Sequence, residues 1–255
     1  MNKKLKDRFF IATMCGNWQS IAREFNVSIE LDQYCQAENM DGERGEKVLA
    51  MVKKHLTEYE AAVLHAPFNE LFPAAIDPKA KAFAIDRFNQ AAAIAIDLGV
   101  KKMVVHSGFV PHVYFKEWQV PRSVEFWTEF MSDKPDDFVI SIENVLDDEP
   151  YMLADIAREI NDPRVGVCYD IGHANIVSKL SPEEWLDALA PYINHLHIHN
   201  NDGTRDQHKG FIDGVLDIKS ILDCVINKCS PDTTLTAELI AGPESFYWLR
   251  EHDYI

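Results

Sequence analysis

Side chains that can bind a divalent metal ion recur along this chain, each at or just past the end of a predicted β-strand. They are His65, His106, Glu143, Asp170, His173, His199, Asp206, His208 and Glu238. Imidazole nitrogens and carboxylate oxygens together suit zinc, manganese or magnesium, and geometry rather than raw affinity selects among such ions. A single residue of this kind carries little information, but nine at strand ends predict one pocket lined by metal ligands.

The elements that must position these residues are short apolar runs, which alternate with longer segments of helical pattern. The predicted strands are Phe9–Thr13, Val27–Leu31, Ala61–His65, Lys102–His106, Phe138–Glu143, Val165–Asp170, Asn194–His199 and Thr234–Leu239. Helix boundaries are marked by Asp77-Pro78 before a run that stops at Gly99, and by Ser181-Pro182-Glu183-Glu184. Since a helix provides the crossover between neighbouring parallel strands, eight such units predict one α/β domain, a (β/α)8 TIM barrel over residues 1–255.

Alternation within the seventh predicted strand indicates which of its residues face the barrel interior. His195, His197 and His199 share one face, whereas Leu196 and Ile198 point toward the helices. The active site of a TIM barrel lies at the C-terminal ends of its strands. We therefore expect His199 at the rim as a ligand, and His195 and His197 below it as hydrogen-bonded interior residues.

The composition restricts the classes of partner. The chain has 255 residues, 47% of them hydrophobic, and a formal net charge of −16. Because an acidic surface repels phosphate backbones and the basic residues are scattered, we expect no nucleic-acid partner. No apolar run approaches the roughly 18 residues that span a bilayer, so no membrane partner is expected. Asp7 and Arg8 interrupt the stretch that superficially resembles a secretory signal, which favours a cytoplasmic protein.

The candidate ligands divide into three sets. One set comes from predicted strands five to eight, which are adjacent in the barrel wall, and consists of Glu143, Asp170, His199 and Glu238. Three carboxylates and one imidazole favour Mn²⁺ or Mg²⁺ and leave Zn²⁺ open. The two further sets are His65 and His106 with Glu143, and His173 with Asp206 and His208. The sequence thus predicts a divalent-metal cofactor of one to three ions.

An ordered series of motifs resembles a known family. The series is His65-Ala66-Pro67-Phe68, Val105-His106-Ser107-Gly108, Ile142-Glu143-Asn144, Tyr169-Asp170-Ile171-Gly172-His173, His199-Asn200-Asn201-Asp202, Asp206-Gln207-His208 and Ala237-Glu238. It resembles the xylose-isomerase-like TIM-barrel superfamily, which contains sugar and sugar phosphate isomerases and epimerases and also endonuclease IV. The resemblance extends from Val27 to Glu238 and implies a metal-dependent barrel.

The ketose epimerase branch of that superfamily implies one ion, held by the set that contains Asp170 and His199. Glu143 and Glu238 would then be the catalytic pair, one removing a proton from carbon and the other returning it from the opposite face. For contacts to the substrate we name Phe68 as an apolar wall, Asn144 beside the catalytic glutamate, and Arg205 for a phosphate or carboxylate group. This branch predicts a divalent-metal-dependent isomerase or epimerase of a small sugar or sugar phosphate, and a homo-oligomer is left open.

The endonuclease IV branch implies a different use of the same residues, since there all nine positions bind three zinc ions that cleave a phosphodiester. The net charge of −16 argues against it, as does the loop Asp32–Gly42, which contains no lysine or arginine. The loops after strands three and eight are also predicted to be short. A third alternative is a non-catalytic metal-bound barrel, against which the presence of both candidate acid/base glutamates argues.

Overall fold

Eight parallel strands close into a barrel in the computed structural model, which describes residues 5–255. The strands are β1 (Phe9–Ala12), β2 (Ile29–Leu31), β3 (Ala61–His65), β4 (Lys102–His106), β5 (Val139–Glu143), β6 (Val165–Asp170), β7 (Ile193–Ile198) and β8 (Thr234–Ala237). Each strand pairs with the next one in sequence, and β1 pairs with β8 to complete the ring. The predicted (β/α)8 TIM barrel is therefore confirmed.

Helices connect the strands and form the outer layer. Within residues 5–255 the α-helices are α1 (Trp18–Phe25), α2 (Gly42–His55), α3 (Pro78–Asp97), α4 (Lys116–Met131), α5 (Tyr151–Ile160), α6 (Ile171–Val177), α7 (Pro182–Leu189), α8 (Ile218–Lys228) and α9 (Pro243–Glu251). The loop after β2 also contains two short 3-10 helices, Gln33–Cys35 and Ala37–Met40. None of the helices in the described part of the chain is long and apolar enough to cross a membrane.

Two predicted helix starts are confirmed by their caps. The side chain of Asp77 accepts a hydrogen bond from the Lys79 N–H at 2.7 Å, and Pro78 occupies the first position of α3. Ser181 and Glu184 form a complete capping box at the start of α7. Both caps satisfy N–H groups that have no partner within their own helix.

The strand ends differ slightly from the prediction, and the difference lies where the site is built. The hydrogen-bonded ladder stops at Ile198 in β7 and at Ala237 in β8, one and two residues short of the predicted ends at His199 and Leu239. His199 and Glu238 therefore lie in the first positions of the loops, where the backbone leaves the sheet. The loop after β3 was predicted to be short, but it runs from residue 66 to residue 77, so that prediction was wrong.

The barrel interior contains both an apolar and a polar layer. Phe10, Val63, Val104 and Cys168 pack together inside the ring. Val63, Val104 and Cys168 stand two positions before His65, His106 and Asp170 on their strands, so this apolar layer lies directly below the candidate ligands. The helices bury the outward-facing residues of the strands, so most of the apolar packing lies between the sheet and the helices. Part of the barrel interior can therefore hold polar groups.

Candidate metal centre

The nine predicted ligands converge at the C-terminal end of the barrel. Most of them line one cavity of about 290 Å³, together with Met14, Asp32, Cys35, Gln36 and Phe68. Asp170 and His199 are the two that do not line it, and both are completely buried beneath it. Residues distant in sequence are brought together because parallel strands all end on the same face of the barrel.

Glu143, at the end of β5, lies between two groups of histidines. Its Oε2 atom is 3.1 Å from His65 Nε2 and 3.3 Å from His106 Nε2. Its Oε1 atom is 3.0 Å from His197 Nδ1 and 3.4 Å from His173 Nδ1. The structure thus assembles the predicted set of His65, His106 and Glu143 around one carboxylate oxygen.

The predicted set of Glu143, Asp170, His199 and Glu238 is brought together only in part. Glu143, Asp170 and Glu238 each place a carboxylate oxygen within 4.8 Å of the others, but the imidazole in this group is that of His197. His199 contacts Asp170, with its Nε2 atom 3.1 Å from Asp170 Oδ1. It forms separate groups, one with Asp170 and His173 and another with His208 and Glu238.

The third predicted set is centred on Asp206, in the loop after β7. His208 Nε2 lies 2.8 Å from Asp206 Oδ2, and His173 Nε2 lies 3.4 Å from the same oxygen. The Asp206 side chain is 37% exposed, so this set forms the outermost part of the centre. His208 adopts a backbone φ of +44°, which an L-residue rarely adopts and which directs its ring back over the pocket.

The donors present fit divalent metal ions. All are imidazole nitrogens or carboxylate oxygens, and several carboxylates meet where little water reaches them, which favours a bound cation. Within residues 5–255, the buried Nδ1 atom of His199 has no hydrogen-bond partner. A buried imidazole nitrogen without a partner is costly unless another group, such as an ion, occupies that position.

Comparison with known proteins identifies the family. A family model described as a xylose isomerase-like TIM barrel matches residues 27–246. The chain belongs to the xylose isomerase-like TIM barrel family. The match contains all nine candidate ligands, and the resemblance predicted from the motifs is confirmed.

Individual relatives are distant. An uncharacterized protein of Methanocaldococcus jannaschii, MJ1311, is 27% identical over 173 residues, which are 63% of this chain and 58% of that protein, so less than two thirds of the relative is matched. A D-tagatose 3-epimerase-like protein is 22% identical with a TM-score of 0.76, over 96% of both chains. The TTHB071 protein of Thermus thermophilus, solved after soaking with ZnCl2, is 22% identical with a TM-score of 0.77, over 97% of both chains. At these identities the structural likeness establishes the fold of this barrel and no more.

Two candidate ligands, Asp170 and His199, are completely buried and do not line the cavity. His199 was expected at the rim, but it is completely buried, stacked under the ring of His208 at 4.1 Å. His199 directly follows the last residue of β7, and the ring of His208 covers it there. The prediction for the two lower histidines is confirmed, since His195 bonds to Thr234 and Glu30 while His197 bonds to Glu30 and Glu143.

The three predicted substrate contacts occupy different places. Phe68 lines the cavity and stacks on the His106 ring at 4.2 Å. Asn144 is buried, and its side chain donates to the Asp170 carbonyl and accepts from the Asp170 N–H, both at 2.8 Å, so it links β5 to β6 below the pocket. Arg205 is exposed and is not among the lining residues.

Sequence reasoning missed several residues of the site. Asp32 and Cys35, in the loop after β2, line the pocket although they are not in any recognised motif. Glu30 lies inside the barrel between His195 and His197. A charge in the middle of the apolar run Ile29–Leu31 was the signal available for Glu30. For Asp32 and Cys35 there was no comparable signal, because loop paths are not set by periodicity.

The two candidate acid/base glutamates differ in their electrostatics. Burial alone would raise the pKa of Glu143, but nearby His197 and His106 hold it well below its ordinary value. Burial raises the pKa of Glu238, and the Glu143 charge adds to this against the opposing effect of His197. Two neighbouring carboxyl groups with pKa values shifted in opposite directions can divide the roles of proton acceptor and proton donor.

We predict that Gly172→Ala damages the centre. A Cβ atom at position 172 would lie 1.9 Å from His199 Cε1, and both residues are buried, so the ring must move. We expect a loss of about 1–3 kcal/mol in the free energy of unfolding, together with weaker metal binding. Denaturant unfolding and metal titration measure the two effects. Gly16→Ala is the control, since its Cβ would be 3.8 Å from the nearest atom. Normal metal binding by Gly172→Ala would contradict the placement of His199.

Metal binding should release protons. Burial lowers the pKa of His173, but Asp170 and Asp206 more than offset this and raise it to about 10. The pKa of His208 is raised to about 9 by Asp206 and Glu238 in the same way. Both rings are therefore protonated at pH 7 in the metal-free protein, and a ligand must lose its proton.

We accordingly expect the affinity of the Asp206 set for Zn²⁺ to rise with pH up to about 10, with release of about two protons per ion at pH 7. Calorimetric titrations at pH 7 in buffers of different ionisation enthalpy measure this number. In His208→Gln the release at this set should fall by about one proton. Binding without proton exchange would show that these rings are not ligands.

Proposed function

We propose that this protein is a divalent-metal-dependent isomerase or epimerase that acts on a small, unphosphorylated sugar or related polyol. One observation carries the proposal: the carboxylates of Glu143 and Glu238 meet beside metal donors in a cavity of only about 290 Å³. That volume lies just below the roughly 300–1,000 Å³ range of small-molecule sites. A monosaccharide fits such a cavity, whereas a nucleic-acid duplex does not enter it.

The charge of the cavity supports an uncharged substrate. Among the residues that line it, none is lysine or arginine, while Asp32, Asp206 and the two glutamates supply carboxylates. A phosphate group would meet these carboxylates without a lysine or arginine to bind it, since His173 and His208 are already paired with Asp206. Carboxylates and the amide of Gln36 are instead suited to the hydroxyl groups of a polyol, which donate hydrogen bonds.

The proposed chemistry is proton transfer at a carbon atom next to a carbonyl group. A bound divalent ion would supply Lewis-acid stabilisation of the negative charge that develops on the substrate oxygens. Glu143, whose pKa is held low, suits removal of the proton, and Glu238, whose pKa is raised, suits its return. Phe68 would cover an apolar face of the sugar and exclude water. The likeness to the D-tagatose 3-epimerase-like protein agrees with this reaction class.

The variant Glu238→Gln tests the catalytic assignment. With the protein loaded with Mn²⁺ or Zn²⁺ and unphosphorylated ketoses such as D-tagatose and D-fructose, we expect turnover to fall by about 10²–10⁴-fold, since a proton donor has been removed. Turnover is measured by chromatography of the sugar products. Glu183→Gln makes the same substitution at an exposed position of α7 and should keep full activity. Full activity in Glu238→Gln would refute the assignment, and bound but unconverted sugar in the wild type would indicate a binding protein.

Phosphodiester hydrolysis is a second candidate, and one observation favours it. His65 and His106 contact Glu143, His173 and His208 contact Asp206, and His199 contacts Asp170. All three predicted ligand sets therefore have members in contact. A three-ion centre would require this arrangement. Against it stand the net charge of −16 and a loop 32–42 without basic residues, whereas the length of the loop after β3 no longer argues either way.

Metal stoichiometry separates the two functions. We expect elemental analysis of protein purified without added metal to find about one divalent ion per chain, which the sugar reaction requires. Two or three zinc ions per chain, together with cleavage of an oligonucleotide that contains an abasic site, would favour the phosphodiesterase instead. An oligonucleotide without the abasic site is the control.

A further inference from the structure

Glu30 is a carboxylate placed inside the barrel, away from the pocket. It is completely buried on β2, and its two oxygens point to two different histidines of β7. Glu30 Oε2 lies 3.2 Å from His195 Nε2, and Glu30 Oε1 lies 3.2 Å from His197 Nε2. None of the predicted ligand sets contains any of these three residues.

Fold stability alone does not account for such a group. Interior positions of TIM barrels are usually occupied by branched apolar side chains. Removing a carboxylate and its imidazole partners from water is costly, and well-packed apolar residues are often as stabilising or more so. A buried Glu–His pair at this position therefore points to a role beyond packing.

The other side of His197 connects this pair to the metal centre. His197 Nδ1 lies 3.0 Å from Glu143 Oε1, so both ring nitrogens face carboxylate oxygens and the ring is fixed at two points. Because His197 holds Oε1, the Glu143 carboxylate is restricted to one orientation. Its Oε2 atom then faces His65 Nε2 at 3.1 Å and His106 Nε2 at 3.3 Å.

We propose that Glu30 is a positioning residue of the metal centre, which acts through His197 to fix the orientation in which Glu143 presents its second oxygen to a divalent cation. The inference rests on the proposed metal-dependent function and deepens it. Partners of this kind orient the groups that bind the ion, and their loss commonly weakens metal binding by about 10–100-fold. His195 supports the same carboxylate from below, where its Nδ1 atom bonds to Thr234 Oγ1 at 2.7 Å.

The test compares metal affinity with fold stability in Glu30→Gln. This change keeps the shape of the side chain and removes its charge. Starting from metal-free protein, titration with Mn²⁺ and with Zn²⁺ gives the dissociation constants, and thermal unfolding of the metal-free protein gives the stability. We expect dissociation constants about 10–100-fold higher than in the wild type, because Glu143 is no longer held in one orientation.

Ser141→Ala is the matched control. Ser141 is also completely buried inside the barrel and bonds to Asn194 Oδ1 at 2.6 Å, so its hydrogen bond is made to a residue other than His197. We expect its metal affinity to equal that of the wild type. Wild-type affinity in Glu30→Gln, or an equal loss in Ser141→Ala, would overturn the proposal, since the second result would indicate general loosening of the interior.

One further variant and the wild-type titration keep the outcome decisive. If Glu30→Gln does not fold, Glu30→Asp retains the charge but shortens the side chain, and unchanged affinity in that variant would overturn the proposal. Wild-type protein that binds no divalent ion would overturn the proposed function and this inference together. Wild-type protein that binds an ion no more tightly than Glu30→Gln does would overturn this inference alone.

Discussion

Convergence of buried negative charge is the constraint on which the rest of this structure depends. Glu143, Asp170 and Glu238 bring carboxylate oxygens within 4.8 Å of one another and of a His197 ring nitrogen, and all are buried. Such an arrangement is unstable in a medium of low dielectric constant unless positive charge lies between the groups. Protonated imidazoles can supply that charge in the metal-free protein, and a divalent ion can replace their protons. The surrounding fold has to hold these groups together against their repulsion.

The closed barrel provides that support. The cost of polar groups in the interior is offset by the apolar shell between the strands and the nine helices of residues 5–255, where most large hydrophobic side chains are buried. A parallel barrel also places the C-terminal ends of all its strands on one face. Candidate ligands from six strands and the loops after them can therefore meet without long connecting segments. The apolar layer of Phe10, Val63, Val104 and Cys168 lies below this polar centre, with the ring of Phe10 stacked on that of His195 at 6.5 Å.

The proposed preference for a neutral substrate rests on the same charge balance. The pocket wall contributed by the loop after β2 carries Asp32, where burial and the nearby Glu30 charge raise the pKa to about 7. An acidic group in this wall does not favour an anionic substituent on a bound molecule. Protein charge and cavity size thus agree with the proposed small, neutral substrate, and a bound metal ion would be the source of any attraction for anions.

The sequence by itself determined the order of strands and helices, the barrel and the identities of the candidate ligands. These follow from local causes: apolar runs define strands, Asp77-Pro78 and Ser181 mark helix starts, and chemically competent residues stand at strand ends. Only the tertiary structure decided which of the candidate metal ligands lie close enough together to bind the same ion. It placed His197 rather than His199 among three carboxylates, buried His199 under His208, and joined Glu30 to His197 across 167 positions of sequence. Those contacts depend on the closure of the barrel, on side-chain rotation and on the paths of loops, and no periodic pattern along the chain encodes them.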